Sequence, residues 1–135
     1  MKSHYILILL SLALSCSKSK TMEQKPLKAV PTASVNGKVI TLVADKSEGD
    51  VCAYGWQMST PSPAGATATF SPLSSVQGEK NPRRNETGQP YYLTGTLQFS
   101  PITATVNKTG TYIFSLQVLD ANRNENWADI TVEVK

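Results

Sequence analysis

The chain has 135 residues, 17% of them charged, and a formal net charge of +3. That length allows one domain and little more. The positive excess does not mark a nucleic-acid binder. From Ser34 onward there are eight basic and nine acidic side chains, a net charge of −1, and the surplus lies upstream in Lys2, Lys18, Lys20, Lys25 and Lys28, whereas a nucleic-acid-binding fold carries its basic patch on the fold itself.

Residues 1–15 read as an export signal. Lys2 and His4 precede a ten-residue apolar run, Tyr5 to Leu14, about half of the roughly 20 residues that a membrane-spanning helix needs. Small residues follow at Ala13 and Ser15, as a cleavage site requires. The run Leu12-Ala13-Leu14-Ser15-Cys16 resembles the lipobox of bacterial lipoproteins, with Ala13 where leucine is usual. The resemblance implies that Cys16 is diacylated with fatty acids such as palmitate and becomes the new terminus. The lipid would hold the protein in the bacterial cell envelope, at the outer membrane, on either face. The alternative is an ordinary signal peptide with an incidental cysteine. If lipid consumes Cys16, only Cys52 remains, and the expectation is a buried thiol with no intrachain disulfide.

Residues 16–33 hold the anchor cysteine and a polar stretch with Pro26 and Pro31, read as a flexible linker. Its last part, Leu27 to Val30, has the makings of a first edge strand. The domain is expected over 34–135. Ile40, Leu42 and Ala44 alternate with polar or outward positions, as do Cys52, Tyr54, Trp56 and Met58, and period two predicts half-buried strands. Ala66 to Phe70 is a short strand before Pro72. The stretch of about 73–100 is long and rich in turn formers, and it ends in a predicted strand from Tyr91 to Phe99. Ile102 to Val106 follows. Tyr112, Phe114, Leu116 and Val118 share one face, and Ala128, Ile130, Val132 and Val134 share another, with a polar hairpin turn from Asp120 to Asn126 between them. About seven short strands in roughly 100 residues predict an all-β antiparallel sandwich.

Tyr54-Gly55-Trp56, then Gly110-Thr111-Tyr112-Ile113-Phe114-Ser115-Leu116-Gln117-Val118-Leu119-Asp120-Ala121-Asn122 and a final alternating strand resemble the PKD (polycystic kidney disease) domain and its bacterial relatives. The resemblance implies an immunoglobulin-like sandwich over about 34–135, with Trp56 in its core. Tyr112 is expected to make a corner hydrogen bond. Three departures stand out. Trp56 is not followed by the usual Phe-Gly-Asp-Gly turn. The last hairpin has Arg123 and Asn124 near the place of a glycine, and Asn124 suits a left-handed conformation. The stretch 73–100 exceeds the family's needs and reads as an insertion.

Composition also bears on chemistry. His4 is the only histidine and leaves with the signal, so Ser-His and Cys-His nucleophiles and the usual zinc sites are not expected. No phosphate-binding glycine loop occurs, and no cofactor is expected. A glycan-active enzyme would need two positioned carboxylates, which nothing in the spacing provides. Asp45, Glu48 and Asp50 fall in one turn, a grouping that leaves calcium open, although charged turns are ordinarily solvated. The insertion brings Arg83 and Arg84 near Tyr91 and Tyr92, and both residue types favour binding surfaces. These four are the candidate ligand-binding residues, with a merely solvated loop as the plainer reading. The expected function is a non-catalytic, lipid-anchored module that binds an envelope protein or polysaccharide. A structural accessory subunit of an envelope complex is the alternative.

Overall fold

In the computed structural model, residues 25–59, 61–71, 91–94 and 100–135 are described. The export signal, Cys16, Arg83 and Arg84 lie outside the described residues. Alternation sets the architecture. Among the described residues eight strands run β1 (Thr32–Asn36), β2 (Val39–Val43), β3 (Ala53–Ser59), β4 (Ala68–Ser71), β5 (Tyr91–Thr94), β6 (Ile102–Val106), β7 (Gly110–Leu119) and β8 (Glu125–Val134). They form two four-stranded sheets, ordered β1-β2-β6-β4 and β5-β3-β7-β8, with every pairing antiparallel. The fold is the all-β sandwich that the alternation predicts.

Labelled A to G, the strands reproduce the constant immunoglobulin arrangement, with A, B, E and D in one sheet and C, F and G in the other. Here β1, β2, β6 and β4 fill the first set and β3, β7 and β8 the second. Strand β5 is the addition. It pairs with β3 from Tyr54↔Thr94 to Gln57↔Tyr91, so the long stretch before β6 carries a strand back to the second sheet.

The core forms where the inner faces meet. Ile40, Leu42, Phe70, Ile102 and Ala104 of one sheet pack with Trp56, Met58, Tyr112, Phe114, Leu116 and Val118 of the other, all at most 1% exposed. Phe70 and Phe114 meet edge to face across the sheets, 6.4 Å between centroids, and Tyr112 stacks on Phe114 at 6.2 Å. Such aromatic pairs add about 0.5–1.5 kcal/mol to area burial. Trp56 is a core residue, as expected. The Tyr112 hydroxyl donates to the Lys108 carbonyl at 2.7 Å, which is the expected corner bond.

Three expectations change. The boundary at residue 33 falls inside β1, and order begins earlier still: Lys28 bridges Glu48, and Ala29 is 6% exposed. Proline content suggested a linker, but neither Pro26 nor Pro31 has to supply an N–H to this pairing. The left-handed residue of the last hairpin is Arg123, at φ 63°, not Asn124. Arg123 N–H donates to the Asp120 carbonyl and Asp120 N–H to the Asn124 carbonyl, both at 3.1 Å. That geometry is a three-residue loop whose last position is left-handed. Asp120 secures it, its carboxylate accepting from Asn122 N–H, Asn124 N–H and Asn124 Nδ2 at 2.8–2.9 Å. Finally, Cys52 is not a buried free thiol. It is half-buried and disulfide-bonded. It precedes the first residue of β3 at the rim of the sandwich, so extending the β3 alternation back to it overstated its burial.

An L-residue held left-handed costs about 1–2 kcal/mol relative to glycine. Arg123→Gly is therefore expected to raise stability by about 0.5–1 kcal/mol, a rise of a few degrees in Tm, read by thermal denaturation. An unchanged or lower Tm would show that the turn does not strain Arg123.

Burial raises the pKa of the Tyr54 and Tyr112 phenols above the ordinary 10.0, and the negative charge of Asp45 adds to the effect at Tyr54. The folded state then holds these protons more tightly than the unfolded state. Stability should be level through neutral pH and fall as pH rises above about 10. Urea midpoints from pH 8 to 11 will show it. Tyr112→Phe should flatten that fall while costing about 1 kcal/mol at pH 7 through the lost bond to Lys108.

Candidate functional site

The strands run between two poles. At the entry pole, residues 25–31 lie across the end of the sandwich as a strap. Lys28 N–H donates to the Glu48 carbonyl at 3.0 Å and Glu48 N–H returns the bond at 2.9 Å. Ala29 N–H donates to Asn126 Oδ1 at 2.8 Å, and Val30 N–H to Ser47 Oγ at 3.0 Å. Leu27 packs against the core. Gly49 is at φ 96°, and a Cβ there would lie 2.9 Å from the Pro26 carbonyl oxygen. Glycine is thus required twice, by conformation and by the approach of the strap. Lys25 and Glu48 pair at 3.3 Å, but both are largely exposed and the pair adds little.

Beside the strap is a groove of about 260 Å³, lined by Lys25, Leu27, Asp50, Asp120, Asn124 and Glu125 among others. Its carboxylates are partly committed. Asp120 holds its own turn, and Glu125 accepts from Gln117 Nε2. The turn considered for calcium is also divided. Asp45 accepts from Ser100 Oγ at 2.6 Å, Glu48 meets Lys25, and Asp50 borders the groove. Among the described residues no three potential ligands gather for a metal.

The outer face of the β5-β3-β7-β8 sheet holds a polar ladder. Gln57, Ser59 and Ser115 are at most 1% exposed, and Gln117 is 8%. Ser115 Oγ donates to Asp129 Oδ1 at 2.6 Å, across the register pair Ser115↔Asp129. Since that uses the Ser115 proton, Ser59 is the donor in the 2.6 Å contact between the two hydroxyls. Ser59, Ser115 and Asp129 thus form one hydrogen-bonded chain. An ionised carboxylate accepting a hydroxyl proton stabilises a buried pair of serines. Period two puts Gln57 on the face opposite Trp56 and Asp129 outward, and nothing in the alternation signals that Gln57, Ser59 and Ser115 are buried.

At the far pole three turns are tied by Asn107. Its Oδ1 accepts from Thr67 N–H at 2.8 Å, its Nδ2 donates to the Gly65 carbonyl at 3.5 Å, and its own carbonyl accepts from Lys38 Nζ at 3.1 Å. Lys108 Nζ donates to the Ala64 carbonyl at 2.6 Å. Gly110, at φ 134°, sits under Pro63, whose Cγ would be 2.7 Å from an added Cβ. Asn107 therefore heads a glycosylation-like triplet but serves as a structural clamp.

Of the residues expected to bind ligand, Tyr91 and Tyr92 are placed in β5, opposite Gln57 and Trp56. Arg83 and Arg84 lie outside the described residues, as does Cys16. No family model, curated protein or solved structure matches this chain.

Ser115→Ala should cost about 1–3 kcal/mol, because it leaves Ser59 without its acceptor and removes a donor from Asp129. The Ser59→Ala/Ser115→Ala pair should cost less than the sum of the single changes. Equilibrium urea denaturation measures both, and strict additivity would show that the hydroxyls are not coupled.

Proposed function

We propose that this protein is a non-catalytic interaction module of the bacterial cell envelope, anchored in the outer membrane by lipid on Cys16, that binds an envelope protein or polysaccharide. The observation that carries the reading is the run Leu12-Ala13-Leu14-Ser15-Cys16 at the end of a ten-residue apolar stretch. A strapped, well-packed sandwich downstream suits presentation of a binding surface on a rigid frame. The PKD-like residues Tyr54-Gly55-Trp56 and Gly110-Thr111-Tyr112 favour binding over catalysis by analogy of fold alone. The lack of histidine after His4 favours the same side. Diacylation supplies stable membrane attachment at about 0.8 kcal/mol per buried CH2.

A second reading, a structural accessory subunit, draws on β4 and β5. Each is last in its sheet among the described strands, and an end strand offers its backbone to a partner strand.

The anchor has a sharp chemical test. The Cys16 sulfur forms either a thioether to diacylglycerol or a disulfide, not both. The chain has two cysteines, so the disulfide at Cys52, if intrachain, uses Cys16 and belongs to an unlipidated chain, and the anchored form requires Cys52 to be a free thiol. In protein taken from membranes, Cys16 is expected to carry lipid, seen by labelling with an alkynyl fatty acid and by peptide mass. Cys16→Ala should abolish labelling and release the protein from the membrane fraction. Recovery of Cys16 in a disulfide from that fraction, or membrane retention of Cys16→Ala, would overturn the anchor.

A further inference from the structure

The strap fixes the end of the sandwich from which the amino-terminal segment leaves. Between Cys16 and Lys25, where described contacts with the sandwich begin, the chain reaches at most about 30 Å fully extended. If Cys16 sits in a bilayer, the entry pole is held close to it. The far pole is the end further from that attachment, and its chemistry bears on what the module meets.

Three features mark that pole. Its turns are pre-set by the Asn107 clamp, so little ordering entropy remains to be lost on binding. Lys38 and Lys108 are exposed, and each ammonium is fixed by a backbone carbonyl, at 3.1 Å from Asn107 and 2.6 Å from Ala64. An ammonium has three donors, so each keeps N–H capacity for a ligand. The described residues show no carboxylate within ion-pair distance of either lysine; the described pair is Lys25 with Glu48, at the other pole. Around Lys108 the surface is small and open, and beside Lys38 it carries the exposed Val35 and Val39. Ala64, Gly65 and Thr109 are exposed, and apart from its chain neighbours no heavy atom lies within 4 Å of the position a Cβ would take at Gly37. Glu133 and Lys135, on or beside the end of β8, offset each other.

We propose that the far pole, through Lys38 and Lys108, binds a segment of an anionic polysaccharide. This rests on the anchored-module reading for its orientation and sharpens that reading's ligand class. The argument against a protein partner is compositional. Protein interfaces centre on buried aromatic and large apolar anchors. The described turns 61–67 and 107–110 present proline, serine, alanine, glycine, threonine, asparagine and lysine, and the exposed large apolar side chains beside Lys38 are Val35 and Val39, a residue type under-represented among interface anchors. Two held ammonium groups on an open, polar surface suit the repeated carboxylates of a hydrated chain.

The test uses the full chain in detergent micelles and an oligogalacturonate at low salt, with neutral dextran and oligo-aspartate as comparisons. The uronate should bind, dextran should not, and affinity should fall as salt rises. K38Q/K108Q should weaken binding about tenfold, as two exposed charge contacts of up to about 1 kcal/mol each imply. K38R/K108R should retain it. K28Q/K46Q removes the same charge from the entry pole and should leave binding unchanged. Circular dichroism will show whether each variant is folded. Uronate binding that survives K38Q/K108Q, falls equally in K28Q/K46Q, or is absent would overturn the site. Tighter binding of oligo-aspartate would overturn the polysaccharide assignment in favour of an acidic protein. The measurement needs no membrane, so it stands or falls apart from the anchor: a chain without lipid on Cys16 that still binds uronate would remove the orientation argument and leave the site.

Discussion

One side chain ties the interior of this sandwich to its far pole. The Tyr112 ring has no exposed surface and stacks on Phe114, yet its hydroxyl reaches the Lys108 carbonyl at 2.7 Å. The ring fixes the beginning of β7 against the core. The hydroxyl fixes the turn immediately before it. That turn carries Asn107, which holds the segment 61–67, and Lys108, which holds Ala64. Rigidity at the tip is therefore inherited from core packing through one phenol. A phenylalanine would fill the same space but would leave the turn to its own local bonds.

The entry pole is built on a different principle. There the strap is held by backbone pairing to Glu48 and by two side chains, Asn126 and Ser47, which accept its amides. Those bonds bring residues far apart in sequence together, since Asn126 follows Ala29 by 97 positions. The strap thus joins the loop before β3 to the first residues of β8. Glycine at 49 makes the approach possible, because any side chain there would meet the Pro26 carbonyl. The two poles share a feature: a small number of side-chain amides and hydroxyls substitute for strand pairing where the sheets end.

Much of this fold was legible in the sequence, for a physical reason. In strands with one face on the core, period two and burial coincide, as in Ile40-Leu42 and Tyr112-Phe114-Leu116-Val118, all 0% exposed. The rule weakened where strands are covered on both sides. Gln57, Ser59 and Ser115 look like solvent positions and are buried. It also failed at the rims. Cys52 kept the parity of Trp56 but lies before β3, and the strap lacked alternation because it is held by single bonds rather than by a ladder. The left-handed Arg123 gave no signal of its own beyond lying near the place of a glycine in the resembling family. Glycine or asparagine would have announced it, and the Asp120 carboxylate supplies the restraint instead. Of the candidate ligand residues, the spacing of Tyr91 and Tyr92 marked a strand but not its partner. Pairing with β3 is a long-range outcome that no local pattern encodes.

The far-pole lysines were equally invisible in composition, and the reason bears on how such sites arise. Lys38 and Lys108 are 70 positions apart and belong to no charge run. They converge because Val106 N–H bonds to the Lys38 carbonyl at 2.9 Å, so the turn after β6 lies beside the turn before β2. Adjacent strands in a sandwich force their turns together whatever those turns contain. A basic residue in each then places two cations at one pole without any signature in sequence. The domain's near-neutral total conceals this, because the carboxylates Asp45, Glu48, Asp50, Asp120 and Glu125 lie at the opposite end, where Lys25, Lys28, Lys46 and Arg123 largely balance them. Topology, more than composition, brings these two lysines together, and the strap sets the end of the sandwich from which the amino-terminal segment leaves.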